Sequence, residues 1–151
     1  MRAFKRECLV ALAVGAAAAC GGGGGPSPES LTGSWSATKA EIVQVSSPST
    51  KVDLVAMGGT LSLVLTAAKT FTLTVSIPGE PVEQAKGTWS SSSDVLTLTY
   101  SLPGPPYGEM QFDMSLSGST LTLLGASMSY DFNDDGVEED GKANLTLVRQ
   151  P

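Results

Sequence analysis

The chain has no histidine in its 151 residues and only two cysteines. Without imidazole there is no Ser/His/Asp triad, no Cys/His dyad, no His-ligated zinc and no histidine general base. Basic residues are scarce as well, nine Lys and Arg against 15 Asp and Glu, for a formal charge of −6. Those after residue 20 (Lys39, Lys51, Lys69, Lys86, Lys142 and Arg149) are scattered, so no phosphate-backbone interface is expected and nucleic acid is not a partner. Long apolar runs are missing too. The run Leu9–Ala19 would rise only about 16 Å as a helix, roughly half a bilayer core, and does not span one. What the chain has in quantity is Ser and Thr, 33 residues together, with the Thr mostly alternating with Leu or Val. That pattern favours strands over helices.

The first residues carry an address. Arg2, Lys5 and Arg6 precede the apolar run, and Ala16–Ala19 end it with small side chains, the three parts of a secretory signal peptide over residues 1–19. The stretch Ala17-Ala18-Ala19-Cys20 resembles the processing box of bacterial lipoprotein precursors, whose commonest form has Leu where Ala17 stands. The resemblance implies that Cys20 becomes the acylated first residue of the mature chain. Gly21, where some lipoproteins have Asp, implies delivery to the outer membrane, on its periplasmic or external face. Export by itself would otherwise leave one unpaired thiol in an oxidising compartment, since Cys8 departs with the leader. More than one acyl chain makes such anchoring durable. The plainer alternative is a soluble secreted protein cut after Ala19. Residues 20–30, with Gly21–Gly25 and Pro26-Ser27-Pro28, read as a linker with nothing to bury, so the folded domain is expected over residues 31–151.

From Leu31 onward one device repeats: a short run of alternating apolar and hydroxyl side chains, closed by Gly, Pro, Asn or Asp. Leu61, Leu63 and Leu65 form one such run, and Phe71, Leu73, Val75 and Ile77 the next. Others hold Leu96, Leu98 and Tyr100; Met110, Phe112, Met114 and Leu116; Leu121 and Leu123; Met128, Tyr130 and Phe132; Leu145 and Leu147. With Trp35–Val45, Val52–Met57 and Ala85–Ser90, about nine or ten half-buried strands are expected, separated by turn signals that include Gly125 and Asn133–Gly136. An antiparallel meander of this kind must close or double over to hide its edges. The expected fold is therefore all-β, an up-and-down barrel of about eight to ten strands, with a β-sandwich as the alternative.

Two near-repeats, Gly33-Ser34-Trp35-Ser36 and Gly87-Thr88-Trp89-Ser90, stand out, the second leading into Val95-Leu96-Thr97-Leu98-Thr99. With the last strand ending in Arg149, they resemble the bacterial lipocalin-like domains found in lipoproteins, and the resemblance covers roughly residues 31–150. It implies that Gly33 and Trp35 lie at the closed end of a barrel and that Arg149 packs across the Trp35 ring. Parity points the same way. Arg149 shares a face with Leu145 and Leu147, an awkward direction for a charge without an aromatic or backbone partner. The alternative places Arg149 simply in water.

Six carboxylates fall within ten residues: Asp131, Asp134, Asp135, Glu138, Glu139 and Asp140. Asp131-x-Asn133-x-Asp135-Gly136 matches the first half of a calcium loop, whose alternating oxygens wrap a hard cation. The twelfth position is Lys142 instead of a bidentate Glu, and the flanks read as strands. Asp131, Asn133 and Asp135 are thus candidate Ca2+ ligands, closed by Glu138, Glu139 or Asp140, and the alternative is a solvated hairpin tip turning at Asp135-Gly136. No catalytic residue is identified and no enzyme activity is expected. Asp53, Glu109 and Asp113 sit on separate elements, and no Gly-x-Ser-x-Gly elbow is present. Pro103–Tyr107 reads as a Pro-rich loop between strands, with a polyproline ligand for a partner domain as the alternative. The expected function is an envelope-anchored lipoprotein, a monomer, whose barrel takes a small apolar molecule against ten inward residues, Leu61, Leu63, Phe71, Leu73, Leu98, Met110, Phe112, Met114, Met128 and Tyr130. Eight strands leave room for side chains or for one ligand, so the alternative is a structural or interaction module of the envelope without a pocket, stabilised by Ca2+ where the acidic loop binds it.

Overall fold

Side chains two residues apart along a strand share a face, so alternation of Leu with Thr or Ser separates an apolar surface from a polar one. The computed structural model describes residues 24–100 and 108–151; the expected signal peptide over residues 1–19, Cys20 and the Pro-rich stretch Pro103–Tyr107 lie outside them. One short helix, α1 (Pro28–Leu31), precedes nine strands: β1 (Gly33–Gln44), β2 (Lys51–Asp53), β3 (Thr60–Leu65), β4 (Thr70–Ser76), β5 (Glu83–Ser92), β6 (Val95–Tyr100), β7 (Gly108–Ser117), β8 (Thr120–Tyr130) and β9 (Glu139–Arg149). Neighbours are antiparallel in the order β2-β1-β3-β4-β5-β6-β7-β8-β9. A further pairing of β1 with β9, from Trp35↔Arg149 to Gln44↔Gly141, closes the sheet. Eight strands make the ring. β2 is the additional one, paired at Glu41–Val43 along the edge of β1 that β3 uses at Gly33–Ser36. This single closed sheet is the expected all-β barrel, and the two-sheet sandwich is excluded.

The antiparallel order gives the barrel two unlike ends. The tight turns at residues 66–69, 93–94 and 118–119, together with α1 and the last residues, gather at one end, the base. Segments 54–59, 77–82 and 131–138 gather at the other, the mouth. The base is packed solid: Leu31, Trp35, Leu63, Leu65, Leu96, Leu98, Leu121 and Leu147 are all fully buried, and no polar side chain is buried with them. Outside, Ser and Thr alternate with these residues, as the burial of β3 and β9 shows. This is the inverse of a membrane-spanning barrel, whose apolar band faces outward. Among the described residues no helix is long and apolar enough to cross a membrane.

Three local readings of the sequence are corrected. Leu121–Leu123 and Met128–Phe132 are not two strands parted by a turn at Gly125. They belong largely to one strand, β8, with a bulge between Leu124 and Ala126, where Gly125 takes φ +85° and its N–H donates to Asn144 Oδ1 at 3.0 Å. The extra residue shifts parity, so Leu121 and Leu123 face inward before it and Ala126 after it. A matching irregularity at Thr38 carries β1 from Trp35 inward to Ala40 and Ile42 inward. Next, Val52–Met57 is strand only through Asp53. The Asp53 carboxylate accepts N–H bonds from Ala40, Val55 and Ala56, turning the chain so that Leu54 enters the core. Finally, Pro28–Ser30 are not linker but the start of α1. Ser27 caps it by accepting from Ser30 N–H, Pro28 presets its first turn, and fully buried Leu31 plugs the base.

Candidate functional site

Two sites suggested by the sequence lie at opposite ends of the barrel. At the base, Trp35 and Arg149 are direct cross-strand partners, and the guanidinium carbon sits 4.2 Å from the indole centroid. Arg149 also donates to the carbonyls of Thr32, at 2.7 Å, and Ser30, while Trp35 Nε1–H donates to Leu31 O at 2.9 Å. Gly33 makes the arrangement feasible. Its φ is +143°, and a Cβ there would collide with the Arg149 guanidinium. The second Gly-x-Trp-Ser copy does similar work: Trp89 Nε1–H donates to Thr66 O at 3.0 Å and Lys69 Nζ lies 3.8 Å from its ring centroid. No sequence motif marks Lys69 for this contact. Its φ of +64° in the β3–β4 turn sends it there. These residues close the base structurally, and nothing in them offers chemistry.

The mouth leads into a cavity of about 430 Å3. Its apolar wall comes from β1 (Ala40, Ile42), Leu54 beyond β2, β3 (Leu61), β4 (Leu73, Val75), β7 (Met110, Phe112), β8 (Met128, Tyr130) and β9 (Ala143, Leu145). On β9 the inward side chains shrink toward the mouth, which leaves space there. Along β9 the buried face reads Gly141, Ala143, Leu145, Leu147, and any Cβ at position 141 would press on Ile42. Of the ten inward residues legible in the sequence, Leu61, Leu73, Met110, Phe112, Met128 and Tyr130 line the cavity, whereas Leu63, Phe71, Leu98 and Met114 fill the base half. The wall is also incomplete. β7 pairs with β8 only from Asp113↔Leu124 to Ser117↔Thr120, and beyond the Gly125 bulge each keeps only its other neighbour. A shallow, mostly polar depression of about 490 Å3 marks this split on the outside, with Glu109, Asp113 and Lys142 around it.

Asp131, Asn133 and Asp135 stand in the loop after β8, at the rim. Their oxygens face the loop's own backbone: Asp131 accepts N–H bonds from Asn133, Asp135 and Gly136, the last at 2.7 Å, and Asp135 accepts from Val137 at 2.8 Å. Glu139 reaches back to Phe132 N–H. Desolvation works against ionising Asp131, but the N–H groups of Gly136, Asp135, Asn133 and Asp134 outweigh it and hold its pKa below the ordinary 3.8. No group of three or more Cys, Asp or Glu side chains among the described residues is arranged to hold a metal ion. Tyr130 responds to the same rim. Burial first, and then the charges of Asp134, Glu80 and Asp131, raise its phenol above the ordinary value of 10.0. Of Asp53, Glu109 and Asp113, the structure sets Asp53 apart in the turn after β2 and places the other two on the outer face of β7, beside the polar depression. Comparison with protein-family models, curated proteins and solved structures finds no match.

Proposed function

We propose that the chain is an envelope lipoprotein, anchored through Cys20, whose barrel lumen takes up a small apolar molecule. The observation that carries this reading is the cavity of about 430 Å3. Binding pockets for small molecules run from about 300 to 1,000 Å3, and a barrel of eight strands is just wide enough to be filled by side chains or to hold one ligand. Here the base half is filled and the mouth half is not. The flexible thioethers of Met110 and Met128 suit an adaptable apolar wall. No catalytic step is assigned.

The tether has a direction in this reading. Ser27 and α1 join the barrel at its base, and Gly25 passes so close to the β5–β6 turn that a Cβ would strike Ser93. The seven residue steps from Cys20 to Ser27 span at most about 25 Å. The base then faces the lipid surface and the mouth faces the aqueous space.

The test uses the exported chain and its Cys20→Ser form. Cys20→Ser is expected to move the protein from the membrane fraction to the soluble one, and mass spectrometry of the native chain to find acyl groups on Cys20. The soluble Cys20→Ser chain, titrated with the neutral fluorophore N-phenyl-1-naphthylamine, is expected to bind it saturably. Ala143→Leu, which fills the cavity, should weaken that binding at least roughly tenfold. No saturable binding, or binding that Ala143→Leu leaves unchanged, removes the carrier reading in favour of a structural module.

A further inference from the structure

The lumen and its mouth differ in chemistry. Around the opening stand five carboxylates, Glu80 and Glu83 from the segment before and at the start of β5, and Asp131, Asp134 and Glu138 from the loop after β8, and among the described residues no Lys or Arg lines the cavity. Ion pairs among the described residues are Lys39–Glu41 and Lys51–Glu41, so none of the five is neutralised by a neighbour there. Apolar side chains are set between them: Val82 beside Glu83 and Val137 beside Glu138 are both more than 60% exposed. An opening ringed by one sign of charge above a low-dielectric wall focuses its field into the opening. Tyr130 lines the same cavity, and its phenol pKa is raised first by burial and then by the charges of Asp134, Glu80 and Asp131. An anionic headgroup would have to sit among like charges. A cation would find partners at the mouth, and its apolar body would lie in the lumen against Met110, Met128 and Phe112.

Building on the carrier reading, we propose that the occupant is a small hydrophobic cation: a protonated amine or quaternary ammonium head held at the acidic mouth, with an alkyl or aryl body in the barrel.

The test displaces N-phenyl-1-naphthylamine from the Cys20→Ser chain with three matched ligands below their micelle concentrations: decyltrimethylammonium, decanol and decanoate. At low salt the cation is expected to displace the probe at a concentration roughly tenfold below the alcohol, with decanoate the weakest, and molar salt should compress the order. The combined variant Glu80→Gln, Asp134→Asn and Glu138→Gln changes exposed residues only. It should keep probe binding and lose the preference for the cation. If the probe binds but the three ligands displace it equally, or the variant retains the preference, the cation proposal is overturned and the carrier reading stands. If the probe does not bind at all, the carrier reading fails and this proposal falls with it.

Discussion

Arg149 shows how one charge can be held half-buried without an acidic partner among the described residues. Its guanidinium replaces hydration with the Thr32 and Ser30 carbonyls and the face of Trp35. Charge-assisted hydrogen bonds and a cation–π contact are each worth about 1–3 kcal/mol when partly desolvated. Arg149→Met keeps the aliphatic stem but orphans the carbonyls, and should lower the unfolding free energy in urea by roughly 2–3 kcal/mol. A loss under about 0.5 kcal/mol would mean the group sits in water. Parity along the last strand made an inward Arg149 legible, because a strand's faces alternate strictly. Lys69 was not legible in the same way, since its place over Trp89 depends on a left-handed residue in a turn and on a register between separate strands.

Elements add what single residues cannot. The loop after β8 has the oxygen spacing of half a calcium site, yet its carboxylates fold back on their own N–H groups, as Asx-type turns do. The pKa of Asp131 is lowered on folding, so its contribution to stability is present above the unfolded value, near pH 4, and is lost as the pH falls through the lower folded value. The difference in urea midpoint between wild type and Asp131→Asn should therefore be largest near neutral pH and vanish in strong acid. Parallel pH profiles for the two proteins would show that Asp131 does not support the loop. Strand positions were read well wherever alternation was unbroken, as in β3, β4 and β6. β8 was split in two because a glycine within a strand and a glycine in a turn look alike in sequence. The register shift against β9 and the Gly125 N–H bond to Asn144 mark this one as a bulge.

At the scale of the whole molecule, the barrel is solid at one end and hollow at the other, and the hollow half costs stability. Filling it with Ala143→Leu should raise the unfolding free energy by about 1 kcal/mol, read from the urea midpoint, while impairing ligand uptake. An equal or lower stability would indicate that the site is already close-packed. The sequence by itself determined the all-β class, the alternation that puts Leu inside and Thr outside, and the approximate number of strands. These follow from local rules, the twofold period of a strand and the chemistry of turns. It also held the taper of β9 in plain view as Gly141, Ala143, Leu145 and Leu147. Tertiary structure alone decided that β1 meets β9 to close the ring, that the bulges at Thr38 and Gly125 reset parity on both flanks of β9, and that carboxylates some fifty residues apart face one opening. Each of these is a relation between segments distant in the chain, set by closure of the sheet, and no local pattern carries it.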